Sequence, residues 1–363
     1  MTLDFFNTFS FLRWSFLALA LCVSPAFGDW NLVGQEAKQE AESLKVETVL
    51  ADLKHPFSVA VEAESGDVYV AEAGRQRVFK WVDSKVLDVV TGFAKSTFEL
   101  ESSDGKRVYS GGPVAIDFYR NQLIVGTAGE GPGKDKVLLF ILEKDAKLPL
   151  DLKAAKSNDS LEKSSKTVAE GGFLDLVAGN GYFFASCFEG DLEKSWVSRA
   201  QLKKDKFTVF RRFFETKKAA GVPRSLAIGR TAEGYLMVGN MGEAAGKADS
   251  QLVMYEVKSG KPLERFELQP IADVIDVEVA KDSQRVFLLD HNFASPESGG
   301  LYELIANQDG IGGNVKKLLD LNGPTAMAFG KNGELYVTLA GDPAEESANG
   351  KLLKITGLSG EKK

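Results

Sequence analysis

Short runs of alternating apolar and polar residues fill the chain from residue 46 onward, and these runs recur as a repeated unit. The unit opens with a small apolar segment, found at residues 55–61, 112–118, 222–228 and 323–329, with degenerate copies at 172–177 and 273–279. Neighbouring copies start 50 to 60 residues apart. A period of this length is typical of the four-stranded blades of a β-propeller.

Each opening segment is followed by further strand-like runs at matching positions. The second runs lie at residues 67–71, 122–126, 182–186, 235–239, 285–290 and 334–338, and the third runs at 77–81, 137–142, 196–202, 252–257, 301–305 and 351–355. Outer runs lie at 86–90, 207–213, 263–268 and 316–321, and the second repeat has no evident outer run. The pattern predicts an all-β fold, a six-bladed β-propeller with four antiparallel strands per blade.

The ends of the repeat region predict how the ring closes. Residues 46–53 precede Pro56 as residues 316–321 precede Pro324, so we expect this N-terminal strand to join the last blade and remove a free sheet edge. Two charged insertions, at residues 94–110 and 151–170, are expected to form excursions on the surface.

The first 28 residues are typical of an export signal, with Arg13 before an apolar run at residues 14–23 and small residues near Gly28. We predict cleavage after Gly28, a polar tether over residues 29–45, the propeller over 46–358 and a short tail over 359–363. The mature protein would be secreted or periplasmic and without a transmembrane segment. The alternative is an uncleaved N-terminal membrane anchor. Cleavage leaves Cys187 as the one cysteine, which we interpret as a buried apolar side chain.

The net charge of −7 and a pI near 5.2 argue against nucleic acid as a partner, because no run of Lys and Arg is dense enough to neutralise a phosphate backbone. No motif for a catalytic serine, a phosphate loop or a haem is present. We expect a monomer whose partner is a protein, a glycan or a small ligand.

The inner strands carry small or polar residues at alternate positions, and four of these are acidic: Asp117, Asp175, Asp276 and Glu278. If this side of each strand faces the axis, the carboxylates approach one channel, where Ca²⁺ or another divalent cation would relieve their repulsion. The sequence specifies no other cofactor. The alternative is structural, with the carboxylates bonding to backbone groups of neighbouring strands.

One face of the propeller is expected to carry the long connections, from second to third strands and from each outer strand to the next blade. Its loops hold an acidic set, interpreted either as a ligand-binding rim or as a solvated surface: Glu72, Glu130, Glu189, Glu243, Asp290 and Asp342. His55 and His291 fall on the same face and are the candidates for a catalytic base, although surface histidines without a shared role are the commoner case.

Residues 56–61, 66–72 and 76–79 together resemble an NHL repeat, with a Pro-led inner strand, a Gly-x-Val-Tyr-Val second strand and a basic, aromatic third. The resemblance covers residues 46–357 and extends to propellers of the gluconolactonase-like SMP-30 type. That type implies one divalent metal in the channel, with a Glu immediately before a Gly-Pro among its ligands. This chain departs from the pattern, since His55 precedes Pro56 and Gly112 precedes Pro113.

The sequence therefore favours an exported propeller that binds a protein, glycan or small ligand on its loop-rich face. The alternative is a metal-dependent lactonase or hydrolase that uses the four channel carboxylates. A third interpretation makes the tether at residues 29–45 the interacting element.

Overall fold

The computed structural model describes residues 44–102, 105–160, 171–189, 191–208, 210–231, 234–242, 245–281, 283–307, 312–342 and 348–358. The strand β1 (Lys45–Leu53) comes first in the chain. Blade 1 contains β2 (Pro56–Val61), β3 (Val68–Glu72), β4 (Arg77–Val82) and β5 (Lys85–Thr91). A separate hairpin follows, formed by β6 (Thr97–Ser102) and β7 (Gly105–Ser110).

The remaining blades repeat this order of strands. Blade 2 contains β8 (Gly112–Tyr119), β9 (Gln122–Ala128), β10 (Val137–Ile141) and β12 (Ser157–Asp159), while β11 (Leu150–Asp151) pairs with β5. Blade 3 contains β13 (Gly171–Gly179), β14 (Tyr182–Glu189), β15 (Asp191–Gln201) and β16 (Arg211–Glu215), followed by the helix α1 (Thr216–Ala220).

Blade 4 contains β17 (Ser225–Arg230), β18 (Leu236–Asn240), β19 (Gln251–Tyr255) and β20 (Pro262–Glu267). Blade 5 contains β21 (Val274–Val279), β22 (Val286–Asp290), β23 (Gly300–Ala306) and β24 (Gly313–Asp320). Blade 6 contains β25 (Pro324–Phe329), β26 (Leu335–Leu339) and β27 (Gly350–Thr356). Short 3₁₀ turns lie at Ala73–Arg75, Leu152–Ala154 and Pro296–Ser298.

The predicted ring closure is confirmed. β1 pairs antiparallel with β27, with Lys45 opposite Thr356 and Leu53 opposite Gly350. The N-terminal strand thus supplies the fourth strand of blade 6, and the first and last blades are joined by backbone hydrogen bonds. The six antiparallel blades of four strands agree with the predicted fold class.

Most of the core lies between blades, because the second strands of the blades are buried on both sides. All seven residues of β9 are buried, and Phe173, Phe183, Phe207 and Phe210 pack as one aromatic group beside it. Cys187 is 1% exposed in the same cluster, as its interpretation as a buried apolar side chain required.

A β-bulge recurs near the start of the inner strands. The register between the first two strands shifts after Pro56 in blade 1, and at the equivalent place in blades 2, 4, 5 and 6. A bulge redirects the side chain that it inserts. The bulged residues of four blades enter one buried cluster, namely Phe57, Val114, Leu226 and Ile275.

The structure corrects two predictions. Residues 94–110 are not a surface excursion, since they contain the hairpin β6–β7, whose side chains Phe98, Leu100 and Tyr109 are buried. The outer strand of blade 3 begins at Arg211 rather than at Phe207, which forms an isolated bridge with Leu202 instead. The outer strand of blade 2, not evident in the sequence, is the short β12 inside the second insertion.

The predicted signal, nearly all of the tether and the C-terminal tail lie outside the described residues. Among the residues that the structure describes, no helix is long and apolar enough to cross a membrane.

Candidate functional site

The hairpin β6–β7 closes one mouth of the central channel. This mouth opens on the loop-rich face, which carries the long connections named above. Phe98, Leu100 and Tyr109 of the hairpin are 7%, 1% and 1% exposed, and they belong to the same buried cluster as the bulged residues of the inner strands. Phe57 contacts both Phe98 and Tyr109, with ring centroids 5.2 and 5.4 Å apart. The loop-rich mouth is therefore filled by the protein's own side chains.

The two histidines hold this hairpin in place. Nδ1 of His291 lies 2.9 Å from the carbonyl oxygen of Pro324, so it carries the proton and donates. Nε2 of His291 then accepts from the hydroxyl of Tyr109 at 3.0 Å. On the other side, Nδ1 of His55 accepts from the backbone N–H of Ser110 at 3.1 Å.

The expectation that the histidines are surface side chains is wrong, because His55 and His291 are 6% and 2% exposed. Burial lowers the pKa of His291 to about 4, and burial together with the charge of Lys54 lowers the pKa of His55. Burial thus favours the neutral form of both rings, and they contact consecutive residues of β7.

The predicted acidic rim divides into two kinds of side chain. Glu72 and Asp290 are buried, at 0% and 1% exposed, and each accepts hydrogen bonds from loop backbone, such as the N–H of Lys54 at 2.8 Å for Glu72 and that of Asp273 at 2.9 Å for Asp290. These two are structural anchors rather than rim ligands. Glu130 and Asp342 are exposed on the loop-rich face. The side chain of Glu189 and the whole of Glu243 lie outside the described residues.

The channel remains open towards the opposite face, which carries the turns between first and second strands and which we call the turn face. A cavity of about 360 Å³ occupies this end, lined by the second halves of the six inner strands and by their turns. All four predicted channel carboxyls line it: Asp117, Asp175, Asp276 and Glu278. Arg120, Arg230 and Lys281 lie among the turn residues around its opening.

Three of the carboxylates also join neighbouring blades. Asp117 accepts from the N–H of Ala178 at 2.6 Å, which links blade 2 to blade 3. Asp175 accepts from Ile228 at 2.7 Å, linking blades 3 and 4. Asp276 accepts from Met327 at 2.6 Å, linking blades 5 and 6. These three aspartates therefore have the structural role that the sequence offered as the alternative, in which the carboxylates bond to backbone groups of neighbouring strands.

Their environment favours the neutral form of the acids. Burial raises the pKa of Asp117 to about 6 and that of Asp276 to about 7. Burial, followed by the charges of Asp276 and Asp117, raises the pKa of Glu278 well above its ordinary value. The cavity thus favours the protonated form of Asp276 and Glu278 more than an exposed site would, and a protonated carboxyl group donates as well as accepts hydrogen bonds.

The residues do not fit the channel metal that the resemblance implies. The position that should supply a Glu before Gly-Pro is His55 in blade 1, and His55 contacts the hairpin rather than a free cavity. In the cavity itself, backbone N–H groups already donate hydrogen bonds to carboxylate oxygens of Asp117, Asp175 and Asp276. Within the described parts of the chain, no group of three or more His, Cys, Asp or Glu residues is arranged to hold a metal ion.

Sequence reasoning missed the hairpin and the cationic residues at the cavity opening. The hairpin had a local signal, since Phe98 and Leu100 alternate with polar residues before Asp104-Gly105, a dipeptide typical of hairpin turns. Arg120, Arg230 and Lys281 had none, because each stands at the end of an inner strand or in the turn after it, and the position of that turn around the ring is visible only in the folded protein.

Comparisons with known proteins support the fold. No protein-family model and no curated protein matches the chain. Among solved structures, the PQQ-bound aldose sugar dehydrogenase of Streptomyces coelicolor matches with a TM-score of 0.56 and 11% identity, over 86% of this chain and 97% of that one. The soluble aldose sugar dehydrogenase of Escherichia coli matches with a TM-score of 0.55 and 15% identity, over 87% and 100%.

A gluconolactonase of Xanthomonas campestris matches with a TM-score of 0.52 and 11% identity, over 86% of this chain and 89% of that one. Identities this low show a common fold alone. The chain is a six-bladed β-propeller whose structural neighbours include gluconolactonase-like and aldose sugar dehydrogenase propellers, as the resemblance of its repeats predicted.

Proposed function

We propose that this protein is an exported binding protein that takes a small polyhydroxylated ligand, a sugar or a sugar lactone, into the channel cavity from the turn face. The observation that carries the proposal is the asymmetry of the channel. The hairpin fills the loop-rich mouth, whereas the other end keeps a cavity of about 360 Å³ lined by four carboxyl groups. Small-molecule sites occupy roughly 300–1,000 Å³, so the cavity suits a ligand of this size.

The chemistry of the lining supports a hydroxylated ligand. Carboxylic acids with raised pKa values can donate to one hydroxyl and accept from another, while Arg230 and Lys281 at the opening add donors. The structural neighbours named as aldose sugar dehydrogenases and a gluconolactonase act on ligands of this class. This proposal moves the binding site from the loop-rich face to the turn face.

Glu278 is the side chain best placed to meet the ligand. It is half-buried in the cavity, whereas Asp117, Asp175 and Asp276 accept from backbone amides of the next blade. Changing Glu278 should therefore affect the ligand more than it affects the connections between blades.

Calorimetric titration of the full-length protein with D-glucose, D-gluconate and gluconolactone tests the proposal. Saturable binding of at least one compound is expected, and Glu278→Gln should weaken it about tenfold, which corresponds to the loss of one charged or strongly polarised hydrogen bond. Glu47→Gln, an exposed position on the outermost strand, should leave binding unchanged. Binding of none of the three, or an equal loss in both variants, contradicts the proposal.

A second candidate function is hydrolysis of the bound lactone. The supporting observation is the placement of Asp276 and Glu278 two positions apart on β21, where the charge of Asp276 raises the pKa of Glu278. Such a pair can hold one proton between two carboxyl groups. The ionised member would take a proton from water as it attacks the lactone carbonyl, and the protonated member would give its proton to the ring oxygen as the C–O bond breaks.

Release of acid from gluconolactone, measured above the spontaneous rate, tests this reaction. Glu278→Gln should lower the enzymatic rate at least 100-fold, which is within the range that general acid–base catalysis supplies. Dialysis against EDTA should leave the rate unchanged, because the described residues do not fit a channel metal. Binding of gluconolactone without acid release leaves the binding function and excludes the hydrolytic one.

A further inference from the structure

A second cavity on the turn face lies between blades 3 and 4 and is cationic. Its volume is about 570 Å³, and four basic residues line it: Arg199, Arg211, Arg230 and Lys258. No carboxylate is among its lining residues in the described part of the chain. It meets the channel cavity at Asn180 and Arg230, which line both.

This concentration of positive charge contrasts with the rest of an acidic protein. The formal net charge is −7, yet residues 194–212 hold seven Lys and Arg against one Asp. A groove of one sign on a protein of the opposite sign raises the local concentration of oppositely charged ligands.

Two of the arginines lie in an unfavourable arrangement. Arg199 on β15 and Arg211 on β16 are direct partners across the antiparallel pair. Like charges at directly opposed positions destabilise a sheet. Burial and the charge of Arg211 both lower the pKa of Arg199, which shows the same repulsion.

The Arg199 side chain is held in position by its surroundings. Its guanidinium lies 3.7 Å from the centre of the Phe213 ring and donates through Nη1 to the carbonyl oxygen of Val257 at 3.1 Å. Arg230 is fixed similarly, donating to the carbonyl oxygen of Gly179 at 2.5 Å. Each guanidinium has five N–H donors, so donors remain for a ligand beside these contacts.

We propose that this groove binds a small oxyanion of at least two negative charges, a phosphate ester or a polycarboxylate. Such a ligand neutralises the opposed arginines and replaces their repulsion with charge-assisted hydrogen bonds. Arginine suits this role because its planar fork of donors matches the oxygens of both groups. The groove shares Asn180 and Arg230 with the channel cavity, and its binding is measured with compounds other than the sugars used for the channel.

Calorimetric titrations of the full-length protein with inorganic pyrophosphate and with citrate, in low-salt buffer, test the groove. Saturable binding of one ion per chain is expected. Arg211→Gln should weaken the affinity at least tenfold, and adding Arg199→Gln to this variant should weaken it further. Arg211 is exposed and faces another arginine, so its replacement should not lower the unfolding midpoint.

Arg265→Gln is the matched control, because it removes one exposed arginine on blade 4 that pairs with Glu267 outside the groove. Its affinity for the ion should equal that of the unchanged protein. Tighter binding of pyrophosphate than of citrate indicates that the ligand of the groove is a phosphate compound. Tighter binding of citrate indicates a polycarboxylate. The proposal is overturned if neither ion binds saturably, if Arg211→Gln leaves binding unchanged, or if Arg265→Gln weakens it equally.

Discussion

The contact between Tyr109 and His291 offers a direct test of how the hairpin closes the channel. Tyr109 is 1% exposed, and its hydroxyl donates to Nε2 of His291 at 3.0 Å. Nδ1 of the same ring already donates to the carbonyl oxygen of Pro324, so Nε2 depends on Tyr109 for its partner. The change Tyr109→Phe removes this donor and keeps the ring that packs against Phe57 and Phe293.

The size of the effect follows from the buried acceptor that is left behind. Removing one partner of a buried hydrogen bond costs about 1–3 kcal/mol, because the remaining polar atom has lost both water and its partner. The apolar contacts of the ring contribute little to the difference, since phenylalanine fills nearly the same space. We therefore expect Tyr109→Phe to lower the free energy of unfolding by about 1–3 kcal/mol.

Urea unfolding at pH 7.5, followed by fluorescence and circular dichroism, measures this difference, with coincident curves confirming a single transition. Tyr235→Phe is the matched control, because it removes the same hydroxyl from a tyrosine that is 39% exposed. The control should change the free energy of unfolding by less than about 0.5 kcal/mol.

A loss below about 0.5 kcal/mol for Tyr109→Phe would refute the reasoning. It would mean that Nε2 of His291 is not desolvated, and that the hairpin does not fill the loop-rich mouth in solution. The channel would then be open at both ends, and the case for entry from the turn face would fail.

Three further outcomes follow from the packing and charge of the blades. Gly229→Ala should destabilise the fold by about 1–3 kcal/mol in urea unfolding, because the new Cβ would lie 2.4 Å from the carbonyl oxygen of Val277 on the next inner strand. The pKa of Asp276 rises from an ordinary 3.8 to about 7 on folding, so the folded state binds the extra proton and its contribution to stability increases as pH falls from about 7 to 4. Asp276→Asn should therefore reduce the gain in stability between pH 8 and pH 5, and a gain equal to that of the unchanged protein would contradict the assignment. Deleting residues 1–53, which removes β1, should lower the unfolding midpoint far below that of a chain lacking only residues 1–43, as measured by thermal circular dichroism.

The blades could be predicted from the sequence because their signal is local and repeated. A strand such as Val68–Glu72 is recognisable from its own alternation, and six copies at a similar spacing support one another. Ring closure was predictable for the same reason, since β1 stands where an outer strand stands in the other repeats. The outer strand of blade 2 was not, because β12 has only three residues and no apolar run.

The site was only partly predictable because its geometry depends on the bulges. Simple alternation put Asp117, Asp175, Asp276 and Glu278 on the channel side, and the structure brings them into one cavity. The inserted residue, such as Phe57, turns instead towards the axis at the loop-rich end. The alternation of apolar and polar residues does not reveal a bulge, so the apolar surface against which the hairpin packs could not be predicted from the sequence.

The bulges and the hairpin together determine which end of the central channel is open. The bulged side chains make the loop-rich end of the channel apolar, and an apolar opening of that size would be exposed to water unless something covered it. The hairpin covers it with Phe98, Leu100 and Tyr109, and the two buried histidines fix its position. The polar part of the channel is then accessible from the turn face, where the cationic groove also opens beside Arg230. A propeller that looks from its sequence as if it binds on its long loops thus opens its channel cavity on the face of its short turns.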